Sequence, residues 1–320
     1  MKKFFLLFSL AFCSHSIGAM DKPKATILAI PGQNGLGSEP EYIQNCFGDD
    51  VDVRKVKTPS LGIDFGQKFC MKHLSNAIKL EKNKNLVIHA TSQGTATALN
   101  YLATMHKNRK NQNKEIKALI LESAMISGNN AIEHTVQGDL MKMPFLTRLP
   151  FSYYWLPYCC KVLFPLYKPS GKQVIKSIKN LPKDIPVVII HSKNDQQLPC
   201  EGAFALYYGL RSMGNNNVYI ICKNYSEQHL NLLCPLPYYI TQIIYKILHT
   251  HNIAINDAYP AIDNSIDLKQ YQPNPDGFKG THDDILNKEL WHEKLWYLGF
   301  ASCTAIISYI LYKKLWIKKK

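Results

Sequence analysis

From residue 26 to residue 249 the chain switches repeatedly between two hydrophobic rhythms. One is a short run, apolar almost throughout and bounded by turn-forming residues: Thr26–Ile30, Leu86–Ala90, Ala118–Glu122, Pro186–His191 and Asn217–Cys222. A further run, Val51–Lys57, alternates apolar with polar positions. These lengths suit strands. The other rhythm has helical spacing and covers Phe65–Leu80, Gln93–Lys107, Pro199–Met213 and Pro237–His249. Strands and helices therefore take turns along the chain. Near-continuous apolar strands separated by helices belong to a parallel sheet covered on both faces. The body is accordingly expected to be α/β, a mostly parallel central sheet with helices on either side.

The alternation lapses twice. About sixty residues, 124–185, separate two consecutive strands, too many for one crossover. Within them PFLTRLPFSYYWLPYCCKVLFPLYKP, Pro144–Pro169, carries eight aromatic residues and no acid. It is expected to be an inserted helical cap, with Phe151, Tyr154 and Trp155 against substrate; ordinary core is the other reading. The stretch 252–290 is rich in Asn, Asp and Pro and lacks sustained periodicity, which has the composition of a polar linker. No internal repeat is visible.

The two ends carry their own signals. MKKFFLLFSLAFCSHSIGAM has two lysines, an apolar run Phe4–Phe12 and small residues at Gly18 and Ala19, the architecture of a secretory signal cleaved after Ala19. Lipidation at Cys13, or a buried N-terminal helix, are the alternatives. Leu295–Tyr312 is eighteen residues without a charge, with Trp291 and Trp296 at one end and Lys313, Lys314 and Trp316 at the other. As a helix it would rise about 27 Å, close to the hydrocarbon core of a bilayer. A C-terminal transmembrane anchor is expected, with an amphipathic helix packed on the body as the competing reading. The expected divisions are thus a signal peptide (1–19), core (20–123), cap (124–185), core (186–251), linker (252–290) and anchor with basic tail (291–320). The localisation they imply is an exported catalytic domain held at a membrane by one helix.

Charge and cysteine content narrow the field. The net charge is +14, but seven lysines (2, 3, 313, 314, 318, 319 and 320) sit at the extreme ends, and half the excess is theirs. What remains is scattered, without zinc-finger spacing, basic helix or aromatic RNA-binding signature, so nucleic acid is not an expected partner. Nine cysteines include no C-x-x-C pair and no Cys/His spacing suited to zinc, so no metal site is expected. Export would permit disulfides, but spacing alone does not pair them.

The chemistry gathers at NLVIHATSQGTATAL, Asn85–Leu99. A buried strand runs into Ser92, and a helix begins at Gln93. A serine there suits a helix N-cap. It also suits a nucleophile lifted above a sheet by a sharp strand-to-helix turn, which needs small residues two positions either side because backbone passes close. Ala90 and Gly94 meet that need. The pattern resembles the G-x-S-x-G turn of the α/β-hydrolase family, with alanine in place of the first glycine. The likeness covers roughly residues 24–250, with the cap as an insertion.

That resemblance implies a serine hydrolase using the triad order serine, acid, histidine. In the loop after a later strand, HSKNDQQLP supplies Asp195 as the acid, with an Asx-turn or helix-capping aspartate as the alternative. After the last strand, VYIICKNYSEQHL supplies His229 as the base, the alternative being an ordinary loop histidine. The family also draws an oxyanion donor from the loop after the first core strand. Here PGQNG occupies that place, with proline where H-G is common, so the backbone N–H groups of Gln33 and Gln93 are the expected donors. The same loop lacks a Walker lysine and a G-x-G-x-x-G, and is not a phosphate cradle. His89 and His191 read as hydrogen-bonded structural residues, and His134 falls early in the cap. The expected activity is cleavage of an ester, thioester or amide through an acyl-enzyme, on an apolar acyl substrate and without a cofactor. A prolyl-oligopeptidase-like peptidase and a hydrolase-fold binding protein without turnover are the alternatives.

Overall fold

The computed structural model describes residues 25–32, 39–49, 51–57, 68–82, 85–108, 116–128, 131, 134, 174–224, 232, 237–255, 263–291, 294, 305, 308 and 309. Six strands form one parallel sheet: β1 (Ala25–Ile30), β2 (Val51–Lys55), β3 (Leu86–Thr91), β4 (Ile116–Glu122), β5 (Val187–Ser192) and β6 (Val218–Lys223). Their spatial order is β2-β1-β3-β4-β5-β6. Side-chain alternation sorts the strands onto two cores. Leu86, Ile88 and Ala90 of β3 face one, with Leu119 and Leu121 of β4 and Val187 and Ile189 of β5. Val87, Ala118, Ile120, Val188 and Ile190 face the other. With both faces covered, the strands have no room for a polar face, which is why the sequence reads as apolar throughout.

Helices α2 (Lys68–Leu80), α3 (Gln93–Lys107) and α5 (Cys200–Ser212) line the first face, through Leu74, Leu99, Leu102 and Leu206. The short α4 (Val174–Ser177) joins them. Helices α1 (Pro40–Phe47) and α6 (Pro237–Thr250) line the second, through Ile43, Phe47, Ile243 and Ile247. The crossover from β1 to β2 runs one way across the sheet and the chain then returns past β1 to β3. Right-handed crossovers put the helices of these two journeys on opposite faces. A switch point therefore opens between the carboxyl ends of β1 and β3, the place where sheets of this kind bind ligands.

Helix α1 had no counterpart in the sequence pattern. Eight residues are few for a period, but Pro40 stands in its first turn and Gly48, at φ 81°, ends it.

The stretch read as a polar linker is folded onto the body from residue 263 to 291. Its Asp and Asn residues cap short turns: Asp267 accepts from Lys269 N–H at 3.0 Å, and Asn274 from Asp276 N–H at 3.0 Å. Phe278 stacks on Phe204 of α5, with ring centroids 4.5 Å apart, and Tyr207 donates to the Pro273 carbonyl at 2.7 Å. A helix over 279–291 (α7) follows, its His282, Ile285, Leu286 and Glu289 spaced as one face. His282 Nδ1 lies 3.1 Å from the Ala205 carbonyl, and buried Ser127 donates to Glu289. Gly209 permits that approach: a Cβ there would stand 2.8 Å from Ile178 Cδ1 and 3.0 Å from His282 Cε1.

The C-terminal transmembrane anchor is corrected. Among the described residues no helix is long and apolar enough to cross a membrane. What precedes the expected span is the amphipathic α7, with Lys279, Asp283, Asp284 and Lys288 along it and its other face packed on α5. Of 295–312, the described residues are Ala305, Ser308 and Tyr309, all helical and exposed. With the anchor go the membrane as a partner and the single-pass, exported localisation built on it. The expected signal segment, 1–19, and the aromatic stretch 144–169 lie outside the described residues.

Candidate active site

Ser92 leaves β3 with φ 51° and ψ −121°, a left-handed backbone that a serine rarely adopts. Its N–H donates to the Glu122 carbonyl at 2.8 Å, so the ladder between β3 and β4 holds it to the last residue. Its own carbonyl accepts from the Thr95 N–H at 2.9 Å and from the Thr95 hydroxyl at 2.6 Å, which starts α3. The side chain makes no capping hydrogen bond to the helix. From Leu86 to Ala103 every residue is buried except Ser92, which is half-buried. The N-cap reading therefore fails on both backbone angle and bonding. The serine is instead the one point at which this buried strand-turn-helix meets solvent.

Gly94 explains the small residue on the helical side. A Cβ there would lie 2.4 Å from the Ile30 carbonyl oxygen and 2.6 Å from that of Pro31. The start of α3 is thus pressed against the end of β1, where the loop carrying Gln33 departs. On the strand side Ala90 is fully buried, paired with Ile30 of β1 and Leu121 of β4. Gln93 is buried at the first helical position, and Gln33 lies outside the described residues.

Asp195 follows β5 in a buried turn. Its Oδ1 accepts from the N–H groups of Gln197 at 2.8 Å and Leu198 at 2.9 Å, the bonds of an Asx-turn. Its Oδ2 lies 3.6 Å from Nε2 of His191, which also approaches the Leu198 carbonyl at 3.2 Å. His134 reaches the same turn, with Nε2 3.4 Å from the Asp195 carbonyl oxygen. The turn reading and the acid reading are thus compatible, one oxygen fixing the loop and the other turned elsewhere. Ser92 and Asp195 leave the same edge of the sheet, from strands separated only by β4. His229, in the loop after β6, and the cap residues Phe151, Tyr154 and Trp155 lie outside the described residues.

Two features here had escaped sequence reasoning. Glu122 ends β4 and is fully buried, with Oε2 3.2 Å from His89 Nε2 and Oε1 accepting from the Leu232 N–H at 2.6 Å. An acid closing an otherwise apolar strand, ALILE, was the available signal. Near the acid turn, the thiols of Cys222 on β6 and Cys200 at the start of α5 interact, which pulls the Cys200 thiol below the ordinary range and, together with burial, pushes that of Cys222 up. Among the described residues no group of His, Cys, Asp or Glu is arranged to hold a metal ion.

No protein-family model and no curated protein matches the chain. Solved structures do. An acylaminoacyl peptidase superposes with TM-score 0.50 at 15% identity over 80% of this chain, which spans 40% of that peptidase. The Pyrococcus furiosus esterase gives 0.47 at 16% identity, over 73% of this chain and 83% of that one. The proline iminopeptidase of Mycobacterium smegmatis gives 0.45 at 11%, over 75% and 94%. The sheet order, the helices on both faces and the first of these superpositions define the class: the chain has the α/β-hydrolase fold. At such identities the likeness is one of fold.

Proposed function

We propose that this chain is a serine hydrolase acting on carboxylic esters or related acyl compounds. Ser92 Oγ attacks the acyl carbonyl carbon as His229 takes its proton. The backbone N–H groups of Gln33 and Gln93 receive the oxyanion. The tetrahedral adduct collapses with His229 protonating the leaving group, and water, activated by the same imidazole, then releases the acyl group from Ser92. Asp195 orients that imidazole and stabilises its charged form.

The observation that carries this reading is Ser92 itself, held at φ 51° and half-buried in an otherwise buried run. The spacing of the sheet supports it. Strands two apart are separated by about 9.6 Å. An imidazole with a hydrogen bond of about 2.8 Å on each nitrogen spans about 8 Å, the order of that gap. The aromatic residues of 144–169, with Phe151, Tyr154 and Trp155 as the proposed contacts, favour an apolar acyl group.

Turnover of p-nitrophenyl esters of increasing chain length, set beside a proline-containing peptide substrate, tests the proposal. Ester hydrolysis rising with acyl length is expected, with kcat about 10⁴-fold lower in Asp195→Asn. The amide oxygen of that variant still accepts from Gln197 and Leu198, so the turn is retained. Cleavage of the peptide and not of the esters would make the enzyme a peptidase. No turnover of either would favour a binding protein.

A further inference from the structure

Glu122 is an ionisable side chain with no exposed surface, and burying a carboxylate costs several kcal/mol unless its oxygens are engaged. Oε1 accepts the Leu232 N–H at 2.6 Å, and Oε2 stands 3.2 Å from His89 Nε2, a contact without hydrogen-bond geometry. The backbone of the same residue holds Ser92, whose N–H donates to the Glu122 carbonyl at 2.8 Å. One residue is therefore bonded through its main chain to the expected nucleophile and through its side chain to a point three residues beyond His229. Leu232 is itself fully buried in the core of the second face, so this bond fixes a point of the chain firmly rather than touching a loose surface turn. His89, also fully buried and two positions before Thr91 in β3, stands beside the carboxylate on the strand that leads to Ser92.

Resting on the serine-hydrolase reading, we propose that Glu122 is a positioning residue that ties the chain bearing His229 to the turn bearing Ser92. The tie sets the distance between base and nucleophile without Glu122 touching substrate. Misplacing a reacting group by about 1 Å can cost a rate about 100-fold. A carboxylate at this depth is a short and charge-assisted way to hold a backbone N–H in place.

The test separates reach from charge. Glu122→Asp keeps the charge and withdraws the carboxylate by about one C–C bond, 1.5 Å, out of range of Leu232. Glu122→Gln keeps the reach, and its amide oxygen can accept the same N–H. The readouts are the rate at which a fluorophosphonate labels Ser92, kcat and KM on a p-nitrophenyl ester, hydrogen exchange over residues 225–233, and Tm. Expected for Glu122→Asp are a labelling rate and kcat lower by about 100-fold, KM within about threefold, and faster exchange over 225–233. Glu122→Gln is expected to recover the rate to within about fivefold of the wild type. A folded Glu122→Asp that labels at the wild-type rate, whatever its Tm, overturns the proposal and leaves Glu122 a core residue only. Should that variant not fold, His89→Gln, which replaces the imidazole standing 3.2 Å from Oε2, is expected to lower labelling about tenfold, and an unchanged rate there is equally contrary. A wild type that takes no label removes the serine-hydrolase reading and this proposal with it. A labelled wild type with an indifferent Glu122→Asp removes the positioning role alone.

Discussion

At Gly94 one absent methyl group decides whether the turn after β3 can close. The carbonyl oxygens of Ile30 and Pro31 stand 2.4 Å and 2.6 Å from where a Cβ would be, and both belong to backbone that cannot rotate away as a side chain would. Gly94→Ala is therefore expected to cost about 1–3 kcal/mol of unfolding free energy, measured in urea, because β1 and α3 must separate to admit the methyl. A loss under about 0.5 kcal/mol would mean that the contact is not needed. The sequence carried this requirement in its spacing, a small residue two positions after Ser92. It also carried the departure at Ala90, and the structure accommodates it: Ala90 is an ordinary buried strand residue between Ile30 and Leu121. Asp195 was legible as an acid in a turn. That one oxygen serves the turn while the other faces His191 depends on a loop shape that no spacing encodes. Glu122 was less legible still, because its partners lie 33 residues before it and 110 after it.

Among the elements, those with a long or unbroken hydrophobic period were the readable ones. β3, α3 and β5 stand within a residue of their expected ends, since full burial of both sheet faces leaves an unmistakable apolar run. Residues 263–291 were misread for a physical reason. Asp267 and Asn274 cap short turns, and capping residues have the same composition as a solvated linker. The packing that orders them, Phe278 on Phe204 and His282 on the Ala205 carbonyl, comes from side chains far away in sequence. At the end of α6, His251 shows another cross-element contact, its Nε2 3.0 Å from the Tyr219 hydroxyl of β6. Burial lowers this imidazole below the ordinary 6.5. The unfolded chain then takes up a proton near pH 6.5 while the folded one resists it, so this contribution to stability is whole above that pH and drains away as pH falls through the folded value. The urea midpoint is expected to drop between about pH 7.5 and about pH 5, and His251→Gln to drop less over the same range. Equal losses in both proteins would remove His251 as a cause.

For the whole molecule, the doubly wound order β2-β1-β3-β4-β5-β6 brings the residues just after β1, β3 and β5 to one edge, beside a switch point. This much follows from alternating strands and helices together with right-handed crossovers, which is why the α/β reading of the sequence holds at this scale. The membrane reading did not hold. An apolar stretch of the right length carries no information about what stands before it, and α7 is a charged, amphipathic helix packed on α5.

The central claim is that Ser92 is a nucleophile. Its most direct test is to treat the full chain and its Ser92→Ala variant with a fluorophosphonate probe and locate the adduct by mass spectrometry of the digested protein. The expected result is a single adduct on the peptide containing Ser92, absent from the variant. A folded wild-type chain that takes no adduct, or one whose adduct persists in Ser92→Ala, would contradict the claim.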